Sequence, residues 1–143
     1  MSKTAIIYWS STGNTEAMAN AVLDGAKEVN PETAIFTVSE TSAADAAGYD
    51  TLILGCPAMG AENLEEGEFE PFFSELEASL AGKNVALFGS YGWGDGAWMR
   101  DWYDRCSAAG ASMIQDEGII ANEYPDGSAL EACTELGKKA AAL

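Results

Sequence analysis

The chain has 143 residues, of which 23 are acidic and 7 are basic, so its formal net charge is −16. Such an acidic excess argues against nucleic acids and anionic membranes as partners, because both select basic surfaces; it fits a basic protein partner, or serves solubility alone. The chain has no histidine, which excludes Ser-His and Cys-His hydrolases and removes the commonest metal ligand.

Short apolar runs rich in β-branched residues alternate with runs of helical periodicity. The apolar runs predict strands near residues 3–9, 33–38, 50–55, 84–89 and 112–121. Some, such as Ile6-Ile7 and residues 52–54, are apolar on both faces. Such runs are typical of parallel strands that are covered on both sides.

The first helix is predicted to begin near Glu16 and to end before Pro31. Its apolar face carries residues at helical spacing: Met18, Val22, Gly25 and Val29. Further helices are predicted near residues 42–47, 70–80, 97–109 and 128–142, and Thr41 or Ser42 can cap the short one. This alternation predicts an α/β fold of one domain, residues 1–143: a doubly wound, five-stranded parallel sheet in the order 2-1-3-4-5, with helices on both faces.

In such a sheet, ligands bind beyond the carboxyl ends of the strands at the switch point. The loops after the first, third and fourth strands should meet there. We call residues 10–15 the first loop, residues 57–68 the second loop and residues 90–96 the third loop. The second loop is long, and long ordered loops in compact domains are usually functional.

The first loop reads Ser10-Ser11-Thr12-Gly13-Asn14-Thr15. A strand, a turn of hydroxyl residues and a helix start together form a phosphate cradle. The loop contains neither Lys nor Arg, which argues against phosphate transfer and favours a tightly held cofactor phosphate. The loop alone also fits a hydroxyl-rich helix cap.

The other two loops carry apolar side chains beside glycines. Met59 precedes Gly60 in the second loop, and Trp93 stands between two glycines in the third. Both side chains can face a flat ring, although Trp93 also fits a half-buried turn aromatic. Trp98 and Trp102 lie four residues apart on the fourth helix, which favours packing or partner contacts.

With these motifs the chain resembles the flavodoxins over essentially its whole length. Residues 10–15 look like the FMN-phosphate loop of that family, and residues 56–62 (CPAMGAE) and 89–96 (GSYGWGDG) look like the loops that cover the two faces of the flavin. The segment 112–121 has no room for the insertion of long-chain flavodoxins, so the chain is similar to the short-chain, anaerobe-type members.

The resemblance implies that FMN is bound without a covalent bond and that its phosphate is held by Ser10, Ser11, Thr12, Gly13, Asn14 and Thr15. It further implies that Met59 and Trp93 flank the isoalloxazine ring, that the Gly60 peptide can reorient toward the flavin N5–H, and that Glu62 accepts a hydrogen bond from the flavin N3–H. The remaining implied contacts come from Pro57, Ala58, Ala61, Ser90, Tyr91, Gly92 and Gly94. Pro57 stands where many relatives have Ser, and Ala61 where Asp is frequent.

The function implied is that of a low-potential one-electron carrier, not an enzyme, which shuttles between semiquinone and hydroquinone. Its expected partners are redox proteins with basic docking surfaces, and the protein is expected to be a monomer. The alternative is an FMN enzyme on the same fold, such as a quinone reductase. A response-regulator receiver is disfavoured because the acidic pair after the first strand and the Asp ending the third are absent.

Three cysteines, an odd number that fits no metal-binding spacing, indicate free thiols in a reducing cytoplasm. They are Cys56, Cys106 and Cys133. The sequence shows neither a signal peptide nor an apolar stretch long enough to span a bilayer.

Overall fold

A computed structural model of the chain describes residues 3–143. Within that range the strands are β1 (Thr4–Tyr8), β2 (Ala34–Thr37), β3 (Thr51–Gly55), β4 (Asn84–Tyr91), β5 (Ser112–Met113) and β6 (Ile119–Asn122). They form a parallel sheet in the order β2-β1-β3-β4-β5, and β6 also pairs with β4. The predicted strand order is therefore confirmed.

The helices are α1 (Asn14–Val29), α2 (Ala43–Ala46), α3 (Phe69–Leu76), α4 (Ala97–Ala108) and α5 (Gly127–Ala141). The helix predicted over residues 70–80 is shorter than expected, because α3 ends at Leu76 and continues as a 3₁₀ turn over Glu77–Ser79. The hydroxyl of Ser42 accepts a hydrogen bond from the Asp45 N–H at 3.1 Å, so Ser42 caps α2 as its position predicted.

The sheet separates two apolar layers, because successive side chains of a strand point to opposite faces. Ile7 faces the layer of α2, α3 and α4, whose largest members are Phe69, Phe73, Trp98 and Trp102. Ile6 faces the layer of α1 and α5, which includes Met18, Val22 and Leu136. Both indole rings of α4 are fully buried, which confirms their packing role.

Helices α1 and α5 pack so closely that side chains are excluded at two places. A Cβ atom on Gly25 would overlap the backbone of Thr134, and one on Gly137 would overlap the backbone of Val22. Both helices follow strands of the parallel sheet and therefore begin at the same edge of it. Their starts consequently lie side by side at the carboxyl ends of the strands.

The single strand predicted over residues 112–121 is wrong. Two short strands occupy this edge, and the segment 114–118 separates them. There the side-chain oxygen of Gln115, rather than a backbone carbonyl, accepts the Leu87 N–H of β4 at 2.9 Å. The Tyr103 hydroxyl holds the segment by donating to the Gln115 carbonyl oxygen at 2.6 Å.

The three cysteines are free and buried, as their number and spacing suggested. Burial raises the pKa values of the Cys106 and Cys133 thiols to about 12 and that of Cys56 further. Among residues 3–143, none of the helices has the length and apolar character needed to cross a membrane.

Candidate functional site

The three loops converge on one cleft of about 580 Å³ at the carboxyl ends of the strands. Twelve of the predicted site residues line it: Ser10, Ser11, Thr12, Asn14, Thr15, Pro57, Ala58, Met59, Ser90, Tyr91, Gly92 and Trp93. The other five lie in the same loops but do not line the cleft: Gly13, Gly60, Ala61, Glu62 and Gly94. The sequence pattern thus predicts residues that the fold brings together.

The first loop is folded so that its donors remain available. The Ser10 hydroxyl accepts the Glu16 N–H at 3.2 Å, and Gly13 adopts a left-handed φ of 93° immediately before α1. Within the described chain, the backbone N–H groups of residues 11–15 donate to no other residue. The side chains lining the cleft include neither Lys nor Arg.

A buried hydroxyl pair connects the first loop to the third. Thr15 Oγ1 and Ser90 Oγ lie 2.8 Å apart, and both residues are almost fully buried. The Ser90 carbonyl oxygen also accepts the Ala58 N–H of the second loop at 3.0 Å. All three loops are therefore fixed to one another at the base of the cleft.

The second loop turns back on itself at Gly60. The backbone groups of Met59 and Asn63 exchange two hydrogen bonds of 2.8 Å, and Gly60 lies between them with a φ of 55°. A Cβ atom on Gly60 would contact nothing within 4 Å, so the left-handed backbone rather than crowding favours glycine. The thioether of Met59 lines the cleft beside this turn.

Trp93 of the third loop is 53% exposed, which is unusual for so large an apolar side chain. Its indole N–H donates to the Gly60 carbonyl oxygen at 3.1 Å, so the tips of the second and third loops are in contact. The cleft therefore has a floor of hydroxyl groups and, at its rim, a thioether and an indole ring.

Glu62 lies outside this cleft and adopts a left-handed φ of 56°. Its carboxylate oxygens accept the Asp95 N–H at 3.2 Å and the Trp98 N–H at 3.4 Å. A Cβ atom on Gly94 would overlap this carboxylate. Glu62 therefore fixes the third loop against the start of α4, a role that the sequence did not predict.

Glu65 organises the end of the second loop. Its carboxylate accepts the N–H groups of Gly67, Glu68 and Phe69 at 2.7 to 2.9 Å. Burial raises the pKa of this carboxyl group, but these backbone hydrogen bonds lower it by more, so the net pKa lies below its ordinary value. Glu65 therefore joins the loop to the first turn of α3.

Glu123 and Tyr124 also line the cleft and were not predicted. We call residues 123–126, between β6 and α5, the fourth loop. The Glu123 N–H donates to the Tyr91 carbonyl oxygen at 2.7 Å, which places this loop beside the third. The pairing of β6 with β4 brings it there. The predicted strand order implied that pairing, but the prediction did not extend the site to the loop after this strand.

Comparison with known proteins identifies the family. A family model described as Flavodoxin matches residues 6–137. The chain is 48% identical to a flavodoxin of Clostridium beijerinckii over 95% of this chain and 97% of the relative, and 47% identical to a flavodoxin of Megasphaera elsdenii over 95% and 96%. The solution structure of the two-electron reduced Megasphaera elsdenii flavodoxin superposes with a TM-score of 0.86, at 45% identity, covering 98% of this chain and 99% of that one. The chain therefore belongs to the flavodoxin family.

Proposed function

We propose that this flavodoxin is a low-potential one-electron carrier that holds FMN in the cleft between its loops. Flavodoxins bind FMN and transfer electrons to redox partners, and they are not enzymes. The observation that supports this site is the convergence of the loops on one cleft of about 580 Å³. FMN supplies the redox chemistry when bound, while the protein orients it and tunes its potentials.

The donor set of the first loop fits a phosphate. Hydrogen bonds to a charged acceptor contribute about 1.5–3 kcal/mol each. One carboxylate about 10 Å away opposes an anion by only about 0.4 kcal/mol in water. Several donors therefore outweigh the acidic surface without a cation. The residues that would hold the phosphate are Ser10, Ser11, Thr12, Gly13, Asn14 and Thr15.

The walls of the cleft fit a flat ring. Met59 and Trp93 would flank the isoalloxazine. Gly60 would supply a backbone peptide that can reorient because it carries no side chain, once its carbonyl oxygen releases the Trp93 N–H. Glu62 does not line the cleft and already accepts two N–H groups. A carboxylate has about four acceptor sites, so Glu62 would accept the flavin N3–H where the ring reaches past the lining residues to the third loop. Backbone and side-chain contacts from the neighbouring positions would complete the site: Pro57, Ala58, Ala61, Ser90, Tyr91, Gly92 and Gly94.

The acidic loops around the cleft support a basic docking partner. The five lysines lie at the edge of the sheet opposite the cleft, because they precede β1 and β4 or end α1 and α5: Lys3, Lys83, Lys27, Lys138 and Lys139. Arg100, in the first turn of α4, pairs with Asp95 at 3.1 Å. The loops around the cleft carry an excess of carboxylates: Glu62, Glu65, Glu66, Glu68, Asp95, Glu123 and Asp126. These carboxylates would steer the cleft toward a basic surface on a partner.

An anaerobic reductive titration of the FMN-loaded protein tests the function. We expect two separate one-electron steps in the visible spectrum. Failure to take up FMN, or steady-state turnover of NAD(P)H with a quinone, would contradict a simple carrier.

Bound FMN has two one-electron reduction potentials, and the lower one belongs to the step that forms the hydroquinone. The dependence of this lower potential on ionic strength tests the contribution of the acidic surface. Each carboxylate about 10 Å away lowers the potential by roughly 17 mV at low salt. Salt screens exposed charges, so the lower potential should rise with ionic strength. A constant potential would show that the acidic surface does not contribute.

A further inference from the structure

Tyr124 is an exposed aromatic residue at the wall of the cofactor cleft. Its side chain is 65% exposed, and its hydroxyl donates to no other residue of the described chain. The backbone around it is nevertheless fixed. The Glu123 N–H bonds to the Tyr91 carbonyl oxygen, the Asp126 carboxylate caps α5 by accepting the Ala129 N–H at 2.8 Å, and Pro125 is buried. A fixed backbone thus presents a side chain whose hydroxyl has no partner among residues 3–143.

The fold places Tyr124 at the phosphate-binding end of the cleft. Tyr124 precedes α5, and the first loop leads into α1. The close packing at Gly25 and Gly137 keeps these two helices side by side, with both starts at the cleft. Tyr124 lines the same cleft as Ser11 and Asn14.

The chemistry of this end of the cleft calls for additional donors. The lining residues include neither Lys nor Arg, and the carboxylate of Glu123 lies beside Tyr124 and would oppose an anion. A phenol hydroxyl donates a hydrogen bond without introducing a charge. We propose that the Tyr124 hydroxyl donates a hydrogen bond to the phosphate of FMN, as a donor from outside the first loop.

This inference rests on the proposed function, and Tyr124→Phe tests it with little risk to folding, because the ring is kept. The full chain, freed of FMN, is titrated with FMN and separately with riboflavin, which lacks the phosphate, while flavin fluorescence is followed. Loss of one hydrogen bond to a charged acceptor should raise the FMN dissociation constant about tenfold. The riboflavin dissociation constant should stay within about twofold of the wild type, because riboflavin offers no phosphate to the hydroxyl. The ³¹P resonance of bound FMN should also shift in the variant.

Tyr49→Phe is the matched control. Tyr49 precedes β3 at the opposite edge of the sheet, so removal of its hydroxyl should change neither constant. An unchanged FMN dissociation constant in Tyr124→Phe would overturn the inference. An equal loss of affinity for FMN and for riboflavin would also overturn it, because it would indicate a contact to the ring or the ribityl chain that both flavins share. If the wild type bound no FMN, the proposed function itself would fail, which is distinct from either of these outcomes.

Discussion

The indole N–H of Trp93 donates to the carbonyl oxygen of Gly60 over 3.1 Å, across a separation of 33 residues in sequence. This bond joins the tips of the second and third loops above the hydroxyl floor of the cleft. Met59 neighbours Gly60, so the bond also sets the separation of the two side chains proposed to flank the flavin ring. This bond therefore adds, at the tips of the loops, to the Ser90 and Glu62 contacts that already join the second loop to the third loop and to α4.

Trp93→Phe removes this bond and keeps an aromatic face. A typical hydrogen bond contributes about 1 kcal/mol net, so amide exchange in the second loop should accelerate about fivefold. Hydrogen exchange followed by NMR measures this, with the amides of the buried strand β3 as the internal reference. Unchanged exchange at residues 59–63 would show that the bond does not hold the loops together.

Gly60→Ala tests the backbone at the turn of the second loop. A left-handed conformation costs a residue with a side chain roughly 1–2 kcal/mol, and no crowding adds to this. We expect a matching loss in the free energy of unfolding, measured in urea. The fraction of one-electron-reduced flavin in a reductive titration should also fall, because the side chain hinders reorientation of this peptide.

Gly60→Asn is the control for backbone strain, since Asn tolerates this conformation better than Ala. It should recover much of the lost stability. If Gly60→Ala leaves the fraction of one-electron-reduced flavin unchanged, the result would argue against peptide reorientation at Gly60.

Gly94→Ala should disturb the third loop more strongly than Gly60→Ala disturbs the second. The φ of Gly94 is 81°, and the new Cβ atom would displace the Glu62 carboxylate from the Asp95 and Trp98 N–H groups. We expect a loss of roughly 2–4 kcal/mol in unfolding free energy. Gly127→Ala is the control, because Gly127 is the first residue of α5 and a Cβ atom there would meet no atom within 4 Å. Its effect on the free energy of unfolding should be neutral or slightly stabilising. Equal effects of the two substitutions would refute the role given to Glu62.

Glu65→Ala removes the acceptor of three backbone N–H groups at the start of α3. Loss of a comparable helix cap costs about 0.5–2 kcal/mol, and we expect a value near the upper end. Chemical denaturation measures it. Glu66→Ala is the matched control, because Glu66 is the adjacent exposed carboxylate and forms no hydrogen bond or ion pair within residues 3–143. If both variants lose the same stability, net charge rather than capping is responsible.

Arg105 connects α4 to α3 and to the 3₁₀ turn after it through two carboxylates. Its guanidinium bonds to both oxygens of Glu70 at 2.7 and 2.8 Å and to Glu77 at 2.8 Å, and it lies over the ring of Phe73. These hydrogen bonds hold the pKa of Glu70 below its ordinary value of 4.5. Since the pKa is lower in the folded state, the pair stabilises the protein above about pH 4.5, and this stabilisation is lost as the pH falls through the lowered pKa.

Arg105→Met should therefore cost roughly 1–3 kcal/mol near neutral pH. The difference in unfolding free energy between Arg105→Met and the wild type should become smaller at acidic pH. Urea denaturation at pH values from about 7 down to about 3 measures both, because this interval includes the ordinary pKa of Glu70. A difference that does not vary with pH would assign the loss to packing against Phe73.

The parallel sheet and most of the cleft were predictable because they follow from local patterns. Runs such as Leu52-Ile53-Leu54 indicate a buried strand, and the loops that follow such strands must meet at one edge of the sheet. The hydroxyl-rich first loop and the position of Trp93 between two glycines then indicated which loops border the cleft.

What the sequence did not reveal depends on single tertiary contacts. Gln115 substitutes its side chain for a strand carbonyl, so the edge strand is broken where apolar residues on either side suggested continuity. β6 keeps the pairing with β4 that the predicted strand order implied, and the loop after β6 brings Tyr124 to the cleft. That loop was not among the three predicted to form the site. Similarly, nothing in the pattern around Glu62 showed that its carboxylate would bond to the backbone of the third loop.

The location of the lysines has a practical consequence for studies on surfaces. Amine-reactive chemistry would attach the molecule through Lys3, Lys27, Lys138 or Lys139, all at the edge of the sheet remote from the cleft. Molecules immobilised in this way would share one orientation, with the cleft facing solution. A solid support coupled through amines would therefore present the same face of the protein to every soluble redox partner.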